Sequence, residues 1–203
     1  MDACRMSGNE QARPAGTGLK RRDICMDESV TRAINAMKRS EFIATFGSVF
    51  REAPWAAEEA YECRPFADIS ALKSTLMAMV RGAPQEARLR VLRAYPGLET
   101  LLAVASPRER IISGTTAPAG LDQLSPEEFA QFRSLNKSYN ERFDMPFLLY
   151  AEGNTAAGVM KLLEQRLRHE PEVEEAIAFR EVGRFADPAF EAIFQKLATR
   201  NGD

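Results

Sequence analysis

A chain of 203 residues that is 45% hydrophobic and 28% charged has an ordinary globular composition and enough length to bury one sizeable core. Its 27 basic and 29 acidic residues leave a formal net charge of −2, so no overall field draws it to nucleic acid or to an anionic membrane, and neither is an expected partner. The longest apolar runs, such as residues 147–151, fall far short of the roughly 20 residues that cross a bilayer, and the N-terminus has no apolar signal core. Three scattered cysteines, Cys4, Cys25 and Cys63, lack metal-ligand spacing and read as reduced thiols. The expectation is a soluble cytoplasmic protein whose partner is a small molecule.

Residues 1–27 mix Gly, Pro, Ser, Asn and charge without an apolar period, which predicts a disordered leader followed by one domain over 28–203. Beyond it the pattern is helical almost throughout. Ser40 can cap a helix running to about Arg51, and Pro54 suits the first turn of another reaching about Glu62. Asp68 caps a segment whose Ile69, Leu72, Leu76 and Met79 recur at helical spacing until Gly82 stops it. A further helix runs from Pro84 to about Ala94, ended by Pro96, which forces the residue before it out of the helical region. Ser125-Pro-Glu-Glu128 is a capping box, and Phe129, Phe132, Leu135 and Tyr139 give the helix it opens one apolar face. Asn154 is read as the cap of the next helix, with Val159, Leu162, Leu163 and Leu167 inward. Asp187-Pro188 is read as the start of the last, carrying Phe190, Ile193, Phe194 and Leu197. No run alternates as a strand does, so the fold class is all-α, a single helical domain.

Phosphate loops, paired His or Cys at metal spacing and nucleophile elbows are all missing, which removes most large enzyme classes and gives no ground for a metal or organic cofactor. The one histidine, His169, sits in the polar stretch Arg168-His-Glu170 at a helix end, where it suits the helix dipole and solvent. Arg166 stands out more. Val159, Leu162 and Leu163 precede it by seven, four and three positions, which puts it on the inward stripe of its helix, where a guanidinium must find an anion. That anion is either an internal carboxylate or a ligand. The acidic run from Glu170 to Glu175 suits a helix N-terminus, and Trp55, Phe66 and Phe147 read most simply as core.

Leu92-Arg-Ala-Tyr-Pro-Gly-Leu98, followed by Ala119-Gly-Leu-Asp-Gln-Leu124, carries a further signal when read with Phe46-Gly-Ser-Val-Phe50, Ala53-Pro-Trp-Ala-Ala57, Arg64-Pro-Phe66, Leu135-Asn136 and Arg142-Phe-Asp-Met-Pro-Phe147. Together they resemble the 2-oxo-4-hydroxy-4-carboxy-5-ureidoimidazoline decarboxylases of urate breakdown, over roughly residues 29–195. The resemblance implies an all-helical homodimer that needs no cofactor and acts on a small anionic heterocycle on the way to allantoin. It also implies an active site at Tyr95 and Pro96, where the family has histidine before proline. Main-chain groups near Pro146-Phe147 and the arginine at Arg166 complete that implied site. For the family's Ser-x-x-Glu-Gln segment two registers are open. An ungapped one places Ile112, Thr115 and Thr116 at the serine, glutamate and glutamine; a gapped one uses Ser106 and Glu109, with Arg110 for glutamine. Histidine is lost in both.

That exchange bears on chemistry. Loss of carbon dioxide leaves a carbanion-like centre that must be protonated, and the best donor has a pKa near ambient pH. A tyrosine near 10 can donate a hydrogen bond or a proton but is a poor base at neutrality, and threonines cannot take up a proton there. Three functions follow: a divergent lyase with Tyr95 as proton donor and Thr115, Thr116, Phe147 and Arg166 around the substrate; a non-catalytic relative that binds such a compound or pairs with an active paralogue; or a true decarboxylase with replaced groups.

Overall fold

The computed structural model describes residues 21–98, 124–150 and 155–200, and among them eight helices and no paired strands. They are α1 (Arg21–Ala36), α2 (Arg39–Phe46), α3 (Pro54–Tyr61), α4 (Ile69–Gly82), α5 (Gln85–Arg93), α6 (Pro126–Phe143), α7 (Ala156–Arg166) and α8 (Pro171–Arg200). Helix α3 packs against both α2 and α4, and the three build one side of the molecule. The long α8 packs against α1, α5 and α6 and so ties the first half of the chain to the second.

Local signals place several of these helices where the sequence predicts. Asp68 accepts the Ala71 N–H at the start of α4, and Pro54 stands in the first turn of α3. Ser125 and Glu128 form the reciprocal capping box of α6, satisfying two donors that the helix itself cannot. Most of the periodic residues turn inward as expected, with Leu72, Leu76, Phe132, Tyr139, Val159 and Leu163 buried, whereas Phe129 at the start of α6 is 40% exposed. Fully burying such a side chain contributes about 1.5–3 kcal/mol, so these faces hold the helices together more than propensity does.

Four helices differ from the sequence reading at their boundaries. Helix α1 begins at Arg21, inside the expected leader, and carries Val30 and Ile34 into the core against α8 and α4, packing that the composition of residues 1–27 does not report. Residues 1–20 lie outside the described residues. The cap of α7 is Thr155, whose hydroxyl accepts the Gly158 N–H at 3.2 Å, rather than Asn154. Helix α2 starts after Lys38, without a side-chain cap at Ser40, and stops at Phe46 instead of near Arg51.

The last difference is the largest. Pro188 does not open a helix but lies inside α8, which runs unbroken from Pro171. Proline removes the hydrogen bond to the carbonyl four residues back and crowds it, at a cost of about 3 kcal/mol in a helix interior. Ala178, Phe179, Val182 and Ala186 before it, and Phe190, Phe194 and Leu197 after it, all enter one core. Their burial outweighs the lost bond. Asp187, expected as a cap, instead meets Lys73 of α4 at 2.9 Å.

The Arg64-Pro-Phe66 stretch closes the α3–α4 side. Phe66 donates its N–H to the Asn35 side chain, which returns a bond to the Phe66 carbonyl, both at 2.9 Å, while Arg64 donates to the carbonyls of Asn35 and Met37 at 3.0 Å. The end of α1 is thereby fixed against the loop entering α4.

Candidate functional site

Helix α5 ends at Arg93, and the chain turns through Ala94 and Tyr95 into Pro96-Gly97. There it meets the segment that leaves α6, Asp144-Met-Pro146. Gly97 eases the approach, because a Cβ on it would lie only 3.0 Å from the Cβ of Pro146. Two segments that the sequence associates with a site are thus neighbours in space. Between them and the loop after α2 lies a cavity of about 490 Å³, lined by Arg51, Arg93, Tyr95, Pro96, Asn140 and Asp144 among others.

Tyr95 is the chemical centre of this cavity. Its ring stacks on Phe185 of α8, with centroids 5.7 Å apart, and the side chain is buried. Its hydroxyl oxygen accepts the Arg51 backbone N–H at 3.4 Å, which leaves the hydroxyl proton to donate elsewhere. Burial pushes the phenol above its ordinary value near 10, while the bond from Arg51 and its guanidinium charge pull the other way. At neutral pH the group keeps its proton. It can donate but not act as a base.

The charge around it is uneven. Arg93 is engaged with Asp144, donating to its carbonyl at 2.8 Å and pairing with its carboxylate. Arg51 has only a 3.4 Å bond to the Ala94 carbonyl and a position 5.5 Å from the Tyr95 ring centroid, and no carboxylate of the described residues is within ion-pair reach. Two non-glycine residues in the described structure have left-handed backbone, Glu52 and Asp144, both with φ of 55°. One follows Arg51 and the other lines the cavity. Asp144 has the ready explanation of a helix C-terminus. Glu52 has none; backbone held in such a region costs on the order of 1–3 kcal/mol and tends to gather at functional sites.

Arg166 and Phe147 do not join that cavity. The guanidinium is buried to 2% exposure, and its Nε donates to Glu174 of α8 at 2.6 Å, with Nη1 on the Leu148 carbonyl at 2.8 Å and Nη2 near the Tyr139 hydroxyl at 3.4 Å. Glu174 is wholly buried and also accepts from the Tyr139 hydroxyl, while its second oxygen meets His169 Nδ1 at 2.8 Å. Phe147 lies under the guanidinium, 4.5 Å from ring centre to Cζ, with no exposed surface. An internal carboxylate meets the need for an anion that the sequence identified, so Arg166 is held here in a buried ion pair, with Phe147 as core beneath it. The acidic run at the start of α8 is likewise more than a dipole partner, since Glu174 is the internal anion. Burial, reinforced by Glu174, raises the Tyr139 phenol far above its usual value, so it stays a donor to that carboxylate.

Of the other residues marked by the sequence, Pro96 lines the cavity beside Tyr95. Thr115, Thr116, Ser106 and Glu109 lie outside the described residues. Arg51 was missed because helical periodicity carried α2 through it. The Gly47 after Phe46 was the available signal for an earlier end.

The OHCU decarboxylase family model matches residues 35–187, and the chain belongs to that family. It is 32% identical over 80% of its length to a 2-oxo-4-hydroxy-4-carboxy-5-ureidoimidazoline decarboxylase of Haloferax volcanii, of which 94% is covered. It is also 29% identical over 83% of its length to one from Amia calva, with 96% of that protein covered. A similar level, 31% over 75% of this chain, relates it to the uric acid degradation bifunctional protein PucL of Bacillus subtilis, of which it spans 30%. Two solved structures share the fold. A crystal structure of (S)-allantoin synthase has a TM-score of 0.59 at 22% identity, covering 80% of this chain and 53% of that one. A crystal structure of OHCU decarboxylase in the presence of (S)-allantoin has a TM-score of 0.53 at 18% identity, covering 74% and 96%.

Proposed function

We propose that the protein is a divergent, cofactor-independent lyase that releases carbon dioxide from a small anionic, nitrogen-rich heterocycle in the chemistry leading from urate towards allantoin. The relatives' names supply the reaction class. The observation that carries the particular reading is Tyr95, which stands where the family has its histidine as a buried phenol that keeps its proton, with its oxygen fixed by Arg51. When a carboxylate leaves as carbon dioxide, the electron pair of the broken C–C bond stays on carbon. A carbanion is far more basic than a phenolate, so Tyr95 can protonate that carbon and recover its own proton from water. No general base is needed for this half of the reaction, and the one described carboxylate that lines the cavity, Asp144, is paired with Arg93. We place the protein in the cytoplasm, as a homodimer like the one its resemblance implies, with Pro96 beside the substrate and Thr115 and Thr116 as polar contacts to it.

A second reading, binding without turnover, is favoured by the same raised phenol: a proton donor so weak near pH 7 is better at recognition than at catalysis. The assay that separates the two is carbon dioxide release from freshly generated ureidoimidazoline by wild type and Tyr95→Phe. The lyase reading expects slow release above the spontaneous rate, falling by about 10²-fold in Tyr95→Phe, since a positioned acid typically supplies ~10²–10⁴-fold. No release with retained binding establishes the binding protein instead. Turnover at roughly 1 s⁻¹ or more, in the range of ordinary enzymes, establishes an efficient decarboxylase with a replacement base. Tyr95→His paired with Thr115→Glu should raise the rate more than Tyr95→His alone, because the imidazole needs a carboxylate to orient it.

A further inference from the structure

We propose that Arg51, a residue to which no role has been assigned, reads the anion of the ligand in the Tyr95 cavity, and that the left-handed turn at Glu52 exists to present it. The inference rests on the Tyr95 cavity being the ligand site, and it names the group that sets the substrate class there.

The chain around Arg51 is arranged in a way that core packing alone does not require. Phe50 and Ala53 are buried to 3% and 2% exposure, while Arg51 and Glu52 between them are exposed. A two-residue excursion between two anchored neighbours needs a sharp reversal, and it is made at Glu52 with φ of 55°, where a side chain is unfavourable and glycine would be free. The result is a double use of Arg51. Its backbone N–H holds the Tyr95 hydroxyl oxygen, so the phenol proton is left for a ligand, and its guanidinium lines the same cavity.

Charge balance favours an anion. The cavity's lining contains the guanidinium groups of Arg51 and Arg93 against the one carboxylate of Asp144, and that carboxylate is bound to Arg93. Among the described residues the uncompensated charge of the lining is that of Arg51. A planar guanidinium holds a carboxylate through two parallel N–H bonds, and its single 3.4 Å bond to the Ala94 carbonyl leaves most of its five donors for that purpose. Tyr95 then donates to a ring nitrogen or carbonyl oxygen of the same molecule. The ligand is therefore a heterocyclic monocarboxylate, and a neutral heterocycle of the same shape should bind poorly.

Orotate and uracil share a ring and differ in the carboxylate, so calorimetric titration of both against the full chain at pH 7 tests the idea without turnover. Wild type should prefer orotate by about tenfold or more, in keeping with a charge-assisted bidentate contact. Arg51→Ala should abolish that preference, and Arg51→Lys should restore part of it, because lysine returns the charge without the fork. Thermal melts should be near wild type for both variants, since the side chain is exposed. If Arg51→Ala keeps the preference while Tyr95→Phe weakens both ligands, the cavity is right and Arg51 is not its anion reader. If wild type binds neither compound, or if neither variant changes binding, the Tyr95 cavity itself is not the ligand site and both readings fall.

Discussion

Two arginines and two tyrosines make matched sets in this molecule, and they do opposite things. Arg166 and Tyr139 enclose Glu174 in a dry cluster between α6, α7 and α8, with every strong donor answered by an internal acceptor. Arg51 and Tyr95 stand at the wall of a polar cavity, with a spare charge and a spare hydroxyl proton. The same residue types supply structure where the anion is built in and, as we propose, recognition where it is absent. What separates them is the presence of a buried carboxylate, which no inspection of the arginine alone reveals.

The comparison can be broken most sharply at the closed cluster. Arg166→Ala leaves Glu174 buried and without its main counter-charge, so it should destabilise the protein by about 3–5 kcal/mol, or prevent folding. A melting temperature within a few degrees of wild type would show that the cluster is not structural. Glu174→Gln keeps the shape but strands the guanidinium and should also be severe, whereas ligand titration on whatever folds should match wild type.

A smaller loss is expected from Tyr139→Phe. It removes the hydroxyl that donates to Glu174 while keeping the ring between Phe143 and Phe147, and one of several acceptor needs goes unmet, costing about 1–3 kcal/mol in a denaturant titration. At the open site the corresponding change should do little to stability. Tyr95→Phe retains the stack on Phe185 and loses one long hydrogen bond, so about 1 kcal/mol or less is expected, with the effect appearing in ligand binding or turnover instead. Equal destabilisation by the two tyrosine changes would erase the distinction between the regions.

The least effect is one of pH. Both phenols have folded-state pKa values raised above the unfolded value near 10, so the folded protein holds these protons more tightly than the unfolded chain. Their contribution is fully present below about pH 10 and is lost as pH rises further towards the folded values. Ultraviolet titration at 295 nm should therefore show Tyr95 and Tyr139 ionising later than a free phenol, and Tyr95→Phe should remove one of these late steps. Ionisation of Tyr95 near neutrality would contradict its role as a donor and revive that of a base.

The sequence by itself determined the helical class, the family, and the helix starts at which a side chain closes a local ring of hydrogen bonds, such as Asp68 and the Ser125–Glu128 box. It also singled out Tyr95 through the family resemblance, and it required an anion for Arg166. These are properties of spacing within a few residues, where the helix repeat fixes the geometry. Which anion Arg166 meets was settled only when α7 and α8 folded against each other and brought Glu174 onto it. The continuity of α8 through Pro188 was likewise decided by core residues on both sides of the proline, whose burial outweighs a local cost that the sequence reading took as final. Arg51 is the clearest case. Periodicity read it as the tail of α2, but α2 ends at Phe46, and the exposed left-handed turn at Glu52, between the buried Phe50 and Ala53, sets Arg51 against the Tyr95 cavity, an arrangement made by contacts distant in sequence that no local repeat reports.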